Sequence, residues 1–417
     1  MTSRANLIAR AVIDHFNKLP SKRKPTVRGN GLQEWVPLSG IVAEHDGVFV
    51  CLALATGMKC LPSAKLPESN GVAIHDWHAE ALAIRTFNCF LLDECQSILE
   101  GKDSGVLSRN DDQGLGPGSP RPAGEDGDGA RPLPFRVRSR VRLHMYCSEA
   151  PCGDASMELI MAAQEDASPW EVATVPPDGA GSPAGALPGR AFFSQLGVVR
   201  RKPARGDAPP TLSKSCSDKI ALKQCTSLLS SLTSLFIEPA GAYIDTLILP
   251  ESQYSPVACG RAFSGEGRMK PVAGKRWAGG YAFRPFSIET SSVEFGYSKR
   301  SVRARSEKIT ASNMAATWSH SGFDETIVGG IISGARKPPD LKGASLTSRR
   351  CMWLKARELA DKLGDFPETQ EYLGAGAYHD VKNGSMLTER RRVKGEVRGT
   401  ALMGWIPNEG DSSFGVS

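Results

Sequence analysis

Three short motifs, far apart in the chain, each place a residue type that binds metal ions at the start of a predicted helix. They are His78-Ala79-Glu80, Pro151-Cys152-Gly153-Asp154 and Ser215-Cys216-Ser217-Asp218-Lys219. Cys152 and Cys216, the cysteines of the second and third motifs, lie in polar segments and not on apolar helix faces. The positive end of a helix lowers the pKa of a thiol. A fold that uses these residues together must bring three distant segments to one point.

The predicted ligands are one imidazole, His78, and two thiolates, Cys152 and Cys216. Zinc binds such ligands in a tetrahedron, and a catalytic zinc keeps its fourth position open for water. A structural zinc normally adds a fourth ligand at close spacing, whereas neither cysteine has a Cys-x-x-Cys companion. Taken singly, each residue also fits a core histidine or an inert buried thiol. Together, they predict one catalytic zinc site.

Glu80 follows His78 by two residues and is the predicted proton carrier. Zinc lowers the pKa of the water that it binds from ~15.7 to roughly 7, so that hydroxide is available at neutral pH. We expect hydroxide to attack the amino-bearing carbon of a nucleobase, while Glu80 moves a proton to the ring nitrogen and the departing ammonia. The predicted chemistry is therefore hydrolytic deamination.

The charge pattern indicates a polyanionic partner. The net charge of +6 is modest for 417 residues, but the basic residues are clustered, which favours nucleic acid. Ten cysteines, several of them in apolar stretches, are typical of reduced thiols in the cytosol or nucleus. No apolar run approaches the ~20 residues that a membrane helix needs, so we expect no contact with a membrane.

The hydrophobic pattern predicts an α/β sandwich. Predicted helices cover residues 3–19, a buried segment from His78 to Leu91, a segment from Pro151 to Met161, and one that Ser217 opens. Predicted strands are a hairpin around Asp46-Gly47, Val137 to Tyr146, and Ala242 to Leu249. We expect the C-terminal third to be mostly helical. Residues 101–134 and 172–188 are rich in Gly, Pro and Asp or Ala, and are predicted to be disordered inserts.

The three motifs resemble those of the eukaryotic adenosine deaminases acting on RNA, and are most similar to the tRNA branch. The resemblance continues at Ala55 to Cys60, Lys202 to Asp207 and Ser231 to Pro239, and so covers most of the chain. It implies a cytidine-deaminase-like three-layer sandwich with a mixed central sheet and a helical C-terminal extension, as a single editase domain over residues 1–417. The long gap from Cys152 to Cys216 favours adenosine in RNA over a free nucleoside.

The resemblance also implies the substrate. The messenger-RNA editing enzymes of the family carry double-stranded-RNA-binding modules, and we expect none here because the deaminase pattern begins near residue 4. The tRNA branch converts the adenosine 3′ of the anticodon of alanine tRNA to inosine, so tRNA is the expected partner and no DNA is expected. A cytidine or nucleoside deaminase and a catalytically inactive RNA-binding partner stay as alternatives. The sequence does not indicate an oligomeric state.

Substrate contacts are implied at Lys59, which would meet a phosphate, and at Lys202 and Asp207, in the loop that would replace the flipped base. Asp207 stands where the editing enzymes have glutamate. Two more basic runs, at residues 299–308 and 390–394, fit solvated faces better than a substrate site.

A buried inositol hexakisphosphate is the second cofactor that the resemblance implies, since several interior cations need a counter-charge. The residues that match the motif for it are Arg85, Lys219, Ser231, Lys337, Tyr378, Lys382 and Trp405. The chain departs from the family at Ile84 and Leu222, where the family has arginines, and at Pro407 and Asn408, which replace a Glu-Lys pair. These departures predict either a looser pocket or the use of other lysines, such as Lys223.

Overall fold

A computed structural model describes residues 3–110, 132–163, 187–188, 195–202, 208–335 and 340–416. Its α-helices are α1 (Arg4–Lys18), α2 (Ala79–Leu99), α3 (Met157–Ala162), α4 (Cys216–Thr226), α5 (Pro256–Phe263), α6 (Lys299–Arg303), α7 (Arg349–Lys362), α8 (Pro367–Leu373), α9 (Tyr378–Asn383) and α10 (Thr388–Gly399). Its strands are β1 (Gln33–Trp35), β2 (Leu38–His45), β3 (Val48–Thr56), β4 (Leu107–Arg109), β5 (Phe135–Val137), β6 (Arg142–Cys147), β7 (Leu187–Pro188), β8 (Arg200–Arg201), β9 (Ile244–Pro250), β10 (Ser287–Ser291), β11 (Ile309–Ala311), β12 (Met314–Ser319), β13 (Asp324–Val328) and β14 (Ile331–Ile332).

A mixed sheet of eight strands forms the centre, in the order β10-β9-β6-β2-β3-β12-β13-β14. The pairs β10/β9 and β9/β6 are parallel, whereas the pairs from β6 to β14 are antiparallel. The β2–β3 turn is Asp46-Gly47, and both residues have positive φ, as a tight type I′ hairpin requires. The predicted hairpin and the mixed α/β fold are confirmed.

Helices cover both faces of the sheet. Neighbouring strand residues point to opposite faces, so Met145 joins the core beneath α2 and α4, while Tyr146 joins a second core beneath α1. The same alternation separates Leu247 from Ile248 on β9. The result is the three-layer sandwich that the resemblance implied.

Two predictions of secondary structure were wrong in part. The single strand expected over residues 137–146 is two strands, β5 and β6, because a turn closed by the Val141 amide and the Arg138 carbonyl (2.9 Å) interrupts it. The C-terminal third contains β10 to β14 and the short α6 before its longer helices begin at Arg349. These strands are short, and in β12 small and polar residues replace a clean apolar alternation, so the pattern that identifies a strand is weak there.

The two predicted inserts fall largely outside the described residues. The described start of the first insert is ordered, since Leu107–Arg109 pairs with Phe135–Val137. In the described part of the chain, no helix has both the length and the apolar character that a bilayer crossing requires.

The ends of three neighbouring strands define one edge of the sheet, where the motif residues lie. β3 ends at Thr56, β6 ends at Cys147, and the antiparallel β2 begins there at Leu38. Gly57, directly after β3, accepts a hydrogen bond from the Ala79 amide at 2.9 Å and so anchors the start of α2. Its φ is +131°, and a Cβ atom there would lie 2.2 Å from the Trp77 carbonyl oxygen.

We predict that Gly57→Ala destabilises the protein, because the new methyl group has no room and the backbone conformation disfavours side chains. The free energy of unfolding should fall by about 2 kcal/mol, measured by urea denaturation. Gly29→Ala is the matched control, since nothing lies within 4 Å of a Cβ atom at Gly29. Equal stability of both variants would contradict the tight approach of β3 to α2.

Candidate active site

His78 is the N-cap of α2, and Asp76 orients its ring. The Asp76 Oδ1 atom lies 2.9 Å from His78 Nδ1 and accepts the His78 backbone N–H at 3.0 Å. Burial alone would raise the pKa of Asp76, but Lys202, Lys219 and His78 hold it well below its usual range. Because an ionised carboxylate only accepts hydrogen bonds, Nδ1 carries a proton and Nε2 is the atom left for a metal. Against burial and Lys202, the charges of Cys60 and Asp76 raise the pKa of His78 to about 10, so a metal at Nε2 would displace a proton. A carboxylate orients metal-binding histidines in this way.

The two predicted thiol ligands touch each other. Cys216 is the first residue of α4, and its amide lies 3.3 Å from Cys152 Sγ. Hydrogen bonds from the Cys216 thiol and amide, together with the charges of Lys202 and His78, hold the pKa of Cys152 well below its usual value despite burial. Cys152 is therefore held as a thiolate. It does not start an α-helix directly, because a 3-10 turn, Asp154–Ser156, precedes α3.

Lys202 joins the imidazole side of the site to the thiol side. Its Nζ donates to Asp76 Oδ2 at 2.8 Å and to Cys216 Sγ at 3.2 Å, and Lys219 also pairs with Asp76. Lys202 is only 5% exposed. The sequence predicted a substrate contact in a basic surface loop, but the structure places this ammonium group inside the site.

Glu80 lies in the first turn of α2 and is buried. Burial and the negative charge of Cys152 raise its pKa, and Lys202 and His78 offset only part of this shift. A carboxyl group with a raised pKa can both accept and release a proton near neutral pH. This is the property that a proton carrier needs.

Among the described residues, only Cys60, Asp76 and His78 place potential ligand atoms all within 4.8 Å of one another, so the predicted set His78, Cys152 and Cys216 is not drawn together that closely. Cys60 was not singled out in the sequence, although Cys60 Sγ lies 3.5 Å from His78 Nδ1. Asp76 already binds two ammonium groups and the His78 N–H, which would repel a cation from that side. The side of the imidazole that carries Nε2 therefore suits a metal better than the Nδ1 side.

A second feature of the site is an interior cavity of about 370 Å³, which Asp76 also lines. Six of the seven residues that the resemblance implied for a polyphosphate line it: Arg85, Lys219, Ser231, Tyr378, Lys382 and Trp405. Lys337 lies outside the described residues. The sequence did not predict Arg349, Arg390, Lys394 or Arg398 as lining residues, whereas Lys223 does line it as expected.

The missed residues on α10 had a recognisable signal. Arg390, Lys394 and Arg398 are four residues apart, so they share one helix face. The run 390–394 was interpreted as a solvated face, but Arg390 is 3% exposed and donates to the Thr226 carbonyl at 2.8 Å. Because the run begins with three consecutive arginines, a simple count of charges along the sequence does not show this four-residue spacing.

Of the other implied substrate contacts, Lys59 lies near His78, since the Trp77 amide donates to the Lys59 carbonyl at 3.0 Å. Asp207 lies outside the described residues. In the run 299–308, Arg300 is held by Glu149 and Glu294 at 2.8 Å each.

Comparisons with known proteins show which proteins the chain is similar to. A family model described as the adenosine-deaminase (editase) domain matches residues 53–409. The chain is 34% identical over 413 residues to tRNA-specific adenosine deaminase 1 of Schizosaccharomyces pombe, covering 97% of this chain and 95% of that protein. It is 33% identical over 261 residues to the Saccharomyces cerevisiae protein of the same name (58% of each chain). It is 27% identical over 277 residues to the double-stranded RNA-specific editase Adar of Drosophila melanogaster, covering 62% of this chain and 35% of that protein.

We predict that Lys202→Met destabilises the protein, because it removes one of the two ammonium groups that compensate the buried Asp76 carboxylate. The free energy of unfolding should fall by about 3 kcal/mol, measured by denaturant titration. Lys65→Met is the control, since Lys65 is 60% exposed and pairs with Glu68 on the surface. It should change stability by less than about 0.5 kcal/mol. A Lys202 variant as stable as the control would show that the buried ion pair contributes nothing.

Proposed function

Because the chain belongs to the adenosine-deaminase (editase) family, we propose that it hydrolyses adenosine to inosine in tRNA, as a single editase domain. The observation that carries this proposal is that the buried acid Glu80 lies close enough to the oriented His78 imidazole and to Cys152 to interact with the charge of each. The names of the relatives in the two yeasts support tRNA as the substrate. The adenosine 3′ of the anticodon in alanine tRNA is the proposed position.

We propose that His78, Cys152 and Cys216 hold one zinc ion. The donor set fits this ion, since Asp76 occupies His78 Nδ1 and leaves Nε2 for a metal, the pKa of Cys152 is held well below its usual value, and Cys216 lies against Cys152. When bound, zinc would act as a Lewis acid that makes water a nucleophile near neutral pH. Burial and the neighbouring Cys152 raise the pKa of Cys216 well above its usual value, and Lys202 offsets part of this shift through its 3.2 Å contact with the Cys216 sulfur. Zinc would favour the deprotonated form of both thiols.

Glu80 would move the protons of the reaction. Its carboxylate takes a proton from the attacking water and passes it to the ring nitrogen, and then assists the departure of the amino group as ammonia. Burial and Cys152 raise its pKa, which favours the protonated form that delivers the proton. Adenosine and water are thereby converted to inosine and ammonia.

RNA contacts are proposed at Lys59, on the loop beside His78, and at Asp207. For Lys202, burial makes a role inside the site more suitable than a phosphate contact. The reduced state of the thiols favours the cytosol or nucleus as the compartment.

We further propose that the cavity holds a polyphosphate of the inositol hexakisphosphate type. Eight basic residues line it against one acidic residue, Asp76. Lys382 is exposed on one side, but desolvation at the cavity, with repulsion from Arg349 and Arg398, lowers its pKa to about 8. Burial and Arg390 likewise hold the pKa of Lys394 well below its usual value. A bound polyanion would supply the missing counter-charge and keep these groups protonated.

These cations compensate for the two family arginines that Ile84 and Leu222 replace in this chain. Lys223 Nζ donates to the carbonyls of Leu228 and Leu229 at 2.9 and 2.7 Å, which holds its ammonium group at the cavity wall. Arg398 stacks on Trp405, with its guanidinium 4.8 Å from the ring centre. We propose that these residues and Arg390 supply the charge that the two apolar residues lack.

Incubation with total tRNA and with free adenosine, followed by detection of inosine, tests the proposed activity. We expect inosine only in tRNA, and we expect Glu80→Gln to lower turnover by about 10²–10⁴-fold while zinc content stays the same. Glu68→Gln is the control, because Glu68 is 62% exposed. Product from adenosine would favour a nucleoside deaminase, and product from neither substrate an inactive RNA-binding partner. Full turnover by the Glu80 variant would reject its role.

The cavity proposal predicts that native mass spectrometry of the purified protein finds one bound phosphate-rich molecule. Lys382→Gln should lower the loaded fraction and the melting temperature, because the ligand loses a charged contact. Lys102→Gln, at a side chain that is 67% exposed, should change neither. Protein that carries no phosphate-rich species would overturn the proposal.

A further inference from the structure

Each of the two thiols is followed, two residues later, by an aspartate with no exposed surface. Asp154 follows Cys152, and Asp218 follows Cys216. A buried carboxylate is costly unless positive charge and hydrogen bonds compensate it. The partners of these two aspartates therefore matter for the loops that carry the thiols.

Asp154 is held by Arg261 of α5. Arg261 Nε donates to Asp154 Oδ1 at 3.0 Å and Arg261 Nη2 donates to the Asp154 carbonyl at 2.9 Å. The same guanidinium also pairs with Glu158 at the start of α3. Arg261 thus binds the Cys152 loop through both a side chain and the backbone.

Asp218 is held by Arg268, five residues after α5. Arg268 Nη1 donates to Asp218 Oδ1 at 2.6 Å, and the two side chains are 4% and 0% exposed. The Ser215 hydroxyl and the Arg200 amide donate to the other oxygen of Asp218 at 2.6 and 3.0 Å. Arg268 is therefore part of the cap that starts α4 at Cys216.

The two arginines belong to one rigid segment. The Arg268 amide donates to the Arg261 carbonyl at 2.9 Å, which closes the turn between them. Gly267 makes this turn possible, because a Cβ atom there would lie 2.4 Å from the Arg261 carbonyl oxygen. A single segment thus contacts both loops that carry the thiols, through their two aspartates.

The two aspartates also fix the segment that leads to Lys202. The Gly197 amide donates to Asp154 Oδ1 at 2.8 Å, and the Arg200 amide to Asp218. Lys202 follows directly and reaches Asp76 and Cys216. The same pair of carboxylates therefore orders three segments of the site.

We propose that Arg261 and Arg268 are positioning residues, which set the distance between Cys152 and Cys216 through Asp154 and Asp218. This inference rests on the proposed function, in which both thiols bind one metal ion. Because metal geometry tolerates only small changes in the separation of its ligands, a loosened segment should release zinc faster. Neither arginine contacts the proposed ligands, so the effect passes through the aspartates.

The test is the rate at which the zinc-loaded full chain loses zinc to a chromogenic chelator. We expect Arg261→Gln and Arg268→Gln to release zinc about 10–100-fold faster than wild type. They should lower kcat for tRNA by a similar factor and leave KM unchanged, because the proposed RNA contacts stay intact. Arg276→Gln, at an exposed arginine that follows in the same region, should match wild type in each measurement.

Lysine variants separate positioning from folding. Arg261→Lys and Arg268→Lys keep the carboxylates paired but lose the forked geometry of arginine, and should release zinc several-fold faster. They give the deciding rate wherever a glutamine variant does not fold. Wild-type zinc release and kcat in the folded variants would overturn the positioning role and leave the proposed function standing. Wild-type protein that holds no zinc would overturn both.

Discussion

The carboxylate of Asp76 is the group on which the rest of the site depends. One oxygen accepts the His78 ring N–H, and the other accepts from Lys202 and Lys219. It is buried, so its charge interacts strongly with each partner in an interior of low dielectric constant. Through these contacts it sets the tautomer of the proposed metal ligand and holds in place the lysine that reaches the Cys216 sulfur. Lys219 extends the same network into the cationic cavity. The candidate catalytic groups and the proposed polyphosphate therefore lie on opposite sides of the Asp76 carboxylate.

Burial of charge is the common physical theme of this interior. Lys202, Asp154 and Asp218 are each almost fully buried, and each has partners of opposite charge. Such networks stabilise a fold little compared with apolar packing, but the loss of one charged partner strongly destabilises the protein. They therefore specify one arrangement of the loops around the thiols. The cavity is the exception, since its cations far outnumber its acids, a surplus that the proposed polyphosphate would balance.

Much of the fold was predictable because its signals are local. The Asp46-Gly47 turn, the amphipathic α1 and the apolar α2 follow from short-range rules for turns and for helical periodicity. The strands β10 to β14 were missed, because short strands with small or polar residues carry no strong period. The family resemblance supplied most of the cavity residues, but not the α10 cations, whose inward orientation depends on how that helix packs against α4.

The sequence by itself determined the chemical types at the candidate site, namely one imidazole, two thiols and a carboxylic acid, since residue types and the short motifs that contain them can be identified directly along the chain. It also determined that the surrounding elements would form an α/β sandwich. Only the tertiary structure decided that Lys202 lies inside the site, that Cys60 contacts His78, and that one arginine segment contacts both thiol loops. These contacts join residues that are distant in the chain, and local sequence patterns carry no information about which distant charges will share one buried space.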